Sequence, residues 1–263
     1  MKPKEFYAEH RRFLLGFFSV ISLLAAWELL LTYLFPLNPF FFTKPSLIAE
    51  AFKEQVRGPK LWHDLAISSR AFLWGFGFAV VIGIPVGLIM GWRRRVEYTL
   101  DPFLTALYAS PLVAVAPLFI IAFGVGVLGK AALVFLLSVF PFIFNAFAGV
   151  KSTDRLLIDV IRSFGGSEKD LYLKVILPST IPYIVAGARL AVGRGLVGII
   201  VGEFYAASEG IGFAISQAGD TYRLPDMFVG ILILSVIAVV LTELMRKLEL
   251  TLAPWRASEE VRS

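Results

Sequence analysis

The sequence DVIRSFGGSEKDLYLKVILP, from Asp159 to Pro178, is one of the few long polar stretches in an otherwise apolar chain. Its charged residues recur every few positions, and a pair of glycines, Gly165 and Gly166, interrupts it near the middle. A new apolar run begins at Pro182, so the stretch lies between two apolar segments. A polar, ordered segment in this setting indicates either a docking surface for a partner or an amphipathic loop on the membrane surface. The residue pattern favours these two interpretations equally.

The stretch predicts two short helices joined by a tight turn. The first helix covers Asp159 to Phe164, and the glycine pair permits the positive φ that a tight turn requires. Ser167 is suited to cap the second helix, with Asp170 in the reciprocal position of a capping box. The apolar side of this second helix is predicted to consist of Leu171, Val175 and Ile176. We expect Pro178 to end it, because proline cannot continue a helical hydrogen-bond ladder.

The composition is that of a membrane protein. Of the 263 residues, 57% are hydrophobic and only 17% are charged, whereas soluble domains are about a quarter charged. Cysteine is absent, which excludes disulfides and thiolate metal sites. Because the chain has only two histidines, no histidine-based metal site is expected. The net charge of +5 is interpreted as a determinant of membrane orientation, so no nucleic-acid partner is expected.

Apolar runs long enough to cross a bilayer, which takes about 20 residues, recur along the chain. They extend from about Phe13 to Phe35, Phe72 to Trp92, Pro102 to Phe123, Ala131 to Val150, Tyr183 to Tyr205 and Met227 to Met245. The predicted fold class is therefore an all-α polytopic membrane protein with about six transmembrane helices. Ser46 to Val56 predicts a short amphipathic helix, and residues 206–226 predict a loop.

Lysine and arginine in the short connections indicate the orientation. They are more frequent on the side that holds the N-terminus, which predicts that both termini and the stretch Asp159–Pro178 are cytoplasmic. This divides the chain into three predicted parts. Residues 1–60 hold an N-terminal tail, the first transmembrane helix and an external loop. Residues 61–250 form the core, with a cytoplasmic loop at 151–182, and residues 251–263 are a cytoplasmic tail.

Two glycine patterns resemble nucleotide-binding motifs in spelling only. Gly124 to Ala131 lacks the serine or threonine that holds magnesium in a phosphate-binding loop, and no soluble strand precedes it. Gly193 to Gly198 spells GxGxxG inside an apolar run, where helix packing is the expected role. We therefore expect no catalytic site and no cofactor in this chain.

The fifth apolar run holds two features of interest. Small residues recur on one helical face, which predicts close packing against a neighbouring helix or a partner subunit. They are Gly187, Ala191, Gly195, Gly198 and Gly202. Arg189 and Glu203 lie on another stripe, roughly 20 Å apart along the helix. They have two possible roles, which are pairing with another helix and lining an aqueous path.

Prolines interrupt the third and fourth apolar runs, at Pro111, Pro117 and Pro141. A proline inside a span frees a carbonyl group that neighbours or water must satisfy. This pattern indicates either cavity-lining spans or simple helix kinks.

The stretch Asp159–Pro178 resembles the EAA loop of ABC-importer permeases. The pattern of that loop is EAA, three residues, glycine, nine residues, and I-x-L-P. The corresponding residues here are Asp159, Val160, Ile161, Gly165, Val175, Leu177 and Pro178. The similarity extends from about residue 45 to residue 250. Segments such as Ser110-Pro111 and Arg162 to Gly165 resemble the permease branch for sulfonates, taurine and nitrate.

This resemblance implies a type I ABC-importer permease fold in a bacterial inner membrane. The loop would dock a cytoplasmic ATPase, which binds the ATP and magnesium, through Asp159, Val160, Ile161, Phe164, Gly165, Gly166, Ser167, Leu177 and Pro178. The other implied partners are a second permease copy in a homodimer and a periplasmic or lipid-anchored solute-binding protein. The candidate residues of the translocation path are Ser110, Pro111, Asn145, Arg194 and Glu203.

Two rival functions make different sequence predictions. A secondary transporter usually contains broken helices in repeated halves or an intramembrane carboxylate, and this chain has no evident internal repeat. A membrane-embedded enzyme needs histidine, aspartate or glutamate clustered within the spans, and no such cluster is visible in the sequence.

Overall fold

The computed structural model describes residues 3–34, 41–206 and 208–252, and the regular structure in these ranges is helical. The helices are α1 (Pro3–Leu29), α2 (Pro45–Arg57), α3 (Pro59–Trp92), α4 (Arg94–Ala109), α5 (Ala116–Phe123), α6 (Val127–Lys151), α7 (Arg155–Ser163), α8 (Glu168–Leu171), α9 (Leu177–Ala206), α10 (Ile211–Asp220) and α11 (Leu224–Leu252). Shorter turns extend or join them: π-helical turns at Leu30–Leu34 and Tyr172–Ile176, and a 3-10 turn at Leu112–Val115.

Among the described residues, five helices are long and apolar enough to cross a membrane, and the bent pair α4–α5 makes a sixth span if it is counted as one. This confirms the predicted all-helical membrane fold. The amphipathic helix predicted at 46–56 is α2. The predicted tail at 251–263 lies almost wholly outside the described residues.

The third span begins earlier than the predicted start at Pro102, and it contains a sharp bend at one of its prolines. It begins at Arg94, stops at Ala109 and resumes after a bend of 85°. The cause is Pro111, because the residue before a proline is driven out of the helical conformation. Ser110 is accordingly extended, with ψ 151°.

The prediction that Pro178 ends a helix is wrong. The chain continues from α8 through the π-helical turn Tyr172–Ile176 into α9 without leaving helical geometry. In this wide turn the N–H of Leu177 donates to the carbonyl of Tyr172, five residues earlier. A wider turn relieves the clash of a proline ring with the preceding turn, so Pro178 lies inside a continuous helix.

Two further segments are more helical than predicted. The residues just before the predicted second span, 61–71, belong to the same helix, because α3 is a single helix of 34 residues. The loop predicted at 206–226 contains α10. The apolar residues Ile211, Ala214, Ile215 and Ala218 of α10 recur at intervals of three and four, which is the helical spacing.

The chain divides into two compact units. The first contains the residues up to 62 together with 214–232. In it, the carboxylate of Glu28 on α1 accepts hydrogen bonds from the N–H and hydroxyl of Ser46, each at 2.9 Å, and lies 3.5 Å from the Lys44 ammonium. These contacts tie the start of α2 to the end of α1.

The second unit contains residues 63–213 and the chain from 233 onward, and α6 is its central helix. Glycines on two helices bring their backbones close to α6. On α3 these are Gly75, Gly83, Gly87 and Gly91, and on α9 they are Gly187, Gly195, Gly198 and Gly202. A Cβ added at any of these positions would overlap or crowd atoms of α6. The small-residue seam predicted on the fifth span therefore packs against α6 of the same chain.

We expect Gly87→Ala to lower the thermal stability of the purified protein, because its Cβ would overlap the carbonyl oxygen of Ile143. Overpacking of this kind costs about 1–3 kcal/mol. Gly77→Ala is the matched control on the same helix, because open space surrounds a Cβ at that position. Thermal unfolding of both variants in detergent tests this. Equal melting temperatures would contradict the assignment of α3 and α6 as a close-packed pair.

Candidate functional site

The stretch predicted to dock a partner begins with α7, a helix of 9 residues. The side chain of Asp154 caps it by accepting a hydrogen bond from the N–H of Leu156 at 2.8 Å. The helix therefore starts at Arg155, four residues earlier than predicted, and ends at Ser163.

One side of α7 exposes an apolar stripe. Leu156, Val160 and Phe164 are spaced four residues apart, so they lie on the same side of the helix. Their exposed fractions are 67%, 43% and 88%. Large apolar groups left exposed on an ordered helix between two spans are typical of a surface that binds another protein or of a face that lies against the membrane.

The other side of α7 is fixed to the protein core. Ile158 and Ile161 pack against a buried cluster made by α3, α6 and the second half of the predicted stretch. Its members are Leu88, Ala146, Val150, Leu171, Val175 and Ile176. The predicted apolar side of the second helix is thus confirmed, and α7 is held against the ends of α3 and α6.

A glycine turn follows α7, as predicted. Gly165 has φ 72°, a conformation that is strained for any residue with a Cβ. The N–H of Gly165 donates to the carbonyl of Arg162 at 3.0 Å, and that of Gly166 donates to the carbonyl of Ile161 at 2.9 Å. A Cβ on Gly166 would lie 2.6 Å from the side chain of Ile161. Both glycines are required to close the helix end.

The predicted capping box is present. The N–H of Asp170 donates to the Ser167 hydroxyl at 3.2 Å, and the N–H of Ser167 donates to the Asp170 carboxylate at 3.1 Å. The last two predicted coupling residues, Leu177 and Pro178, form the first turn of α9 and are half-buried. The stretch is therefore one ordered unit that continues directly into a membrane span.

Three of the predicted path residues lie near the break in the third span. Ser110 and Pro111 form the break and are exposed. Arg194 is exposed on α9, and its guanidinium lies 5.8 Å from the centre of the Tyr108 ring, two residues before the break. The structure therefore brings Arg194 and the bend between α4 and α5 together.

Asn145 lies elsewhere, in the contact between α6 and α9. It is half-buried, and its side-chain amide donates to the Pro141 carbonyl at 2.8 Å. A Cβ on Gly187 of α9 would lie 2.8 Å from the Asn145 side chain. In this conformation the geometry assigns Asn145 to helix packing.

Glu203, the last of the candidate path residues, lies in a buried ion pair. It is 1% exposed, and its carboxylate lies 3.2 Å from the ammonium group of Lys130, which is 5% exposed. The hydroxyl of Ser68 donates to the same carboxylate at 2.7 Å. A buried charge is tolerated when it is paired and hydrogen-bonded in this way. This is the structural alternative that the sequence left open.

The ion pair also fixes the chain that follows α9. The N–H of Gly212 donates to Glu203 at 2.7 Å, and the Lys130 ammonium donates to the carbonyl of Glu209 at 2.6 Å. The carboxylate of Asp64, which is buried on α3, accepts the N–H of Gly210 at 2.9 Å. We call this group the buried polar network. It consists of the side chains of Asp64, Ser68, Lys130 and Glu203 and the backbone groups of Glu209, Gly210 and Gly212 that they bind. It links α3, α6, α9 and the segment before α10.

Sequence reasoning missed Lys130 and Asp64 as members of this network. They lie 73 and 139 positions from Glu203, in apolar or interfacial surroundings, and neither forms a local motif with it. The only available signal was that a charge inside a span needs a partner. Arg189, the other charged residue of that stripe, pairs with Glu249 on α11.

The fold is a bundle of membrane-spanning helices, and the site is an exposed apolar stripe on a short helix next to the spans. The family described as the inner membrane component of binding-protein-dependent transport systems matches residues 83–252. The chain belongs to this family. It is therefore a multi-pass inner-membrane protein and a non-catalytic permease subunit of an ABC importer that depends on a solute-binding protein.

Relatives with several different solutes are similar to this chain. The taurine transport system permease protein TauC of Escherichia coli is 32% identical over 251 residues, which is 93% of this chain and 90% of that protein. The formylaminopyrimidine transport permease protein ThiX of Halalkalibacterium halodurans is 34% identical over 185 residues, or 70% and 74%. The riboflavin transport system permease protein RibX of Chloroflexus aurantiacus is 31% identical over 240 residues, or 91% and 89%. The similarity fixes the class of transporter and leaves the solute open.

The fold is also that of a solved importer. An inward-facing structure of the MetNI methionine ABC transporter matches with a TM-score of 0.61 at 17% identity, covering 81% of this chain and 100% of that chain. At this identity the likeness concerns the fold alone. It supports the type I importer architecture of the helical bundle.

We expect Lys130→Met to destabilise the protein strongly, because it leaves the Glu203 carboxylate buried without its cation. Breaking a buried pair costs about 3–5 kcal/mol. The double variant Lys130→Met, Glu203→Gln is expected to lose less than the sum of the two single variants, because neither charge is then left alone. Thermal unfolding in detergent measures all three.

Arg246→Met is the control for this cycle. Arg246 pairs with Glu243 on the surface, where an ion pair contributes about 1 kcal/mol or less. Strictly additive losses for Lys130 and Glu203 would show that the two residues do not act as a pair.

Proposed function

We propose that this chain forms half of a translocation path and that a cytoplasmic ATPase drives it through the apolar stripe of α7. The observation behind this proposal is that Leu156, Val160 and Phe164 are exposed on a segment whose other side is anchored in the core. A rigid helix with an apolar stripe is suited to insertion into a groove of a partner. The ATPase would bind ATP and magnesium, and this chain would bind neither.

The remaining coupling residues have distinct proposed roles. Val160 and Phe164 would contact the ATPase directly, whereas Ile161 would anchor the contact to the core. Asp159 is exposed on α7 and would lie at the edge of the docked surface. Gly165, Gly166 and Ser167 would set the direction in which Phe164 points. Leu177 and Pro178 would connect the docked segment to the span α9.

The proposed mechanism is a population shift between two states of the helical bundle. ATP-driven closure of the ATPases would bring two coupling segments together and favour one state, and ATP hydrolysis would release it. Because α7 packs on the same buried cluster as α3 and α6, a displacement of α7 would be transmitted to these spans. The spans would then open alternately to the outside and the inside.

The orientation and the partners complete the proposal. Lysine and arginine are more frequent on the side of the coupling segment, which supports a cytoplasmic location for it and for both termini. On this basis, residues 1–60 are the proposed N-terminal tail, first transmembrane helix and external loop. Residues 61–250 are the proposed permease core, and residues 251–263 the cytoplasmic tail. A second copy of the chain would supply the other half of the path. A periplasmic or lipid-anchored binding protein would deliver the solute.

The proposed solute is a small compound of the sulfonate, taurine or nitrate kind. Support for this comes from the sequence segments that resemble that permease branch and from the taurine permease among the relatives. The formylaminopyrimidine and riboflavin permeases define the alternatives. Ser110, Pro111 and Arg194 are the proposed path residues that the single chain leaves exposed.

We expect Phe164→Ala to weaken the binding of the ATPase without unfolding the chain, because the ring is 88% exposed and supports little of the core. Loss of an aromatic anchor at a docking surface costs about 2 kcal/mol or more, which exceeds a ten-fold change in Kd. Gly165→Asp is expected to have the same effect by straining the turn. Co-purification of the ATPase with the detergent-solubilised chain measures both variants.

Tyr33→Ala is the control, since Tyr33 is an aromatic residue of similar exposure, 75%, in the π-helical turn that follows α1. It should retain the ATPase. Equal recovery of the ATPase with all three variants would refute the docking role of α7. If the well-folded wild-type chain recovers no ATPase, transport driven by an ion gradient becomes the better explanation.

A further inference from the structure

Arg194 lies in the middle of a membrane span. The apolar part of α9 extends from Pro182 to Tyr205. At 1.5 Å per residue, Arg194 is about 18 Å from the first of these residues and about 16 Å from the second. These distances exceed the reach of an arginine side chain, so Arg194 cannot place its charge in either interface, as residues near the ends of spans do.

The surroundings of Arg194 exclude a lipid-facing position. A charge at the centre of the bilayer is costly, and such residues face a bundle interior or a water-filled path. In the single chain Arg194 is exposed together with its neighbours Leu190, Gly193 and Val197. The exposed side of α9 at this depth is therefore either in contact with a second subunit or open to water.

The break in the third span lies at the same depth and beside the same residue. Tyr108 lies in the last turn of α4, two residues before the break, and its ring packs against those of Phe140 and Phe144, with centroids 5.6 and 5.2 Å away. The guanidinium of Arg194 lies over this fixed ring. Non-helical backbone at membrane depth is tolerated where it lines a cavity or is buried in protein. Two independent features, the charge and the bend of 85°, therefore meet at mid-membrane.

Among the described residues, no carboxylate forms an ion pair with the guanidinium of Arg194. Glu203, on the same helix, is paired with Lys130, and Glu249 on α11 is paired with Arg189. The guanidinium carbon lies 5.8 Å from the centre of the Tyr108 ring, and because Arg194 is exposed, its N–H groups can donate to a ligand. These donors match the paired oxygens of a carboxylate, sulfonate or phosphate.

We propose that Arg194 binds the anionic group of the solute during its passage, and that the importer is selective for solutes with an oxyanion group. This inference rests on the proposed function and specifies its substrate class. Tyr108 positions the guanidinium, and the exposed backbone at Ser110 and Pro111 borders the same space. One arginine per subunit holds the anion only briefly, as transport requires, because a site on a path has to release its occupant.

The test uses the whole importer, with its ATPase and binding protein, reconstituted in proteoliposomes that contain ATP. Ethanesulfonate, nitrate and the zwitterion taurine carry an oxyanion group and are called the anionic probes, whereas riboflavin and formylaminopyrimidine are the uncharged probes. We expect import of an anionic probe by the wild type, a loss of about ten-fold or more in Arg194→Gln, and partial recovery in Arg194→Lys. Co-purification of the ATPase should be the same for all three.

Arg189→Gln is the matched control. It removes a charge from the same helix, but from a residue that is paired with Glu249. It is expected to lower the amount of folded complex without reducing the import rate of the anionic probe per folded complex. A similar loss of that rate in Arg189→Gln and Arg194→Gln would assign both residues to structure and overturn the inference.

Two other results would also overturn it. They are import of the uncharged probes alone, and import of an anionic probe that Arg194→Gln leaves unchanged. Both leave the coupling proposal standing, because ATPase binding is measured separately. Failure of the ATPase to co-purify is the distinct result that removes the proposed function itself.

Discussion

The close contact of α6 with α3 and α9 is the constraint on which the rest of the structure depends. It is possible because glycine replaces larger residues wherever the backbones approach, as at Gly87 against Ile143 and Gly198 against Leu133. In a bilayer the hydrophobic effect does not hold helices together, so dispersion contacts between close backbones do so instead. The resulting three-helix core supports α7 and the turn after α8 at one end, and the buried polar network at the other.

The sequence predicted the elements whose signals are local. The spans follow from apolar length, and the turn at Gly165 and the Ser167 cap follow from residue type and spacing. The sequence could not predict which helix the seam of α9 contacts, because a small-residue stripe does not identify its neighbour. The pairing of Glu203 with Lys130 was missed for the same reason, since their distance in sequence is 73 residues. The behaviour of Pro178 depended on a wide turn that no local pattern indicates.

The exposed apolar stripe beside α7 lies on a rigid support. Ile158 and Ile161 are held by the core, whereas Phe164, directly after the last residue of α7, is exposed. A flexible loop would absorb a push from a partner by bending. A helix packed on the ends of α3 and α6 would move them with it, so this small segment suits the proposed transmission of force.

Within one continuous helix, the π-helical turn Tyr172–Ile176 sets how far α9 is rotated about the helix axis relative to α8. Successive residues of an α-helix are rotated by about 100°, and a π-helical turn amounts to one extra residue. Upstream of the turn, Leu171 packs in the buried cluster that also contains Leu88 and Val150, and downstream Arg194 lies beside the broken span. Deleting one residue of this turn would leave both parts helical but would rotate Arg194 toward another neighbour. The turn therefore fixes the rotation of α9 relative to α8, so that Arg194 faces the broken span while Leu171 stays in its buried cluster.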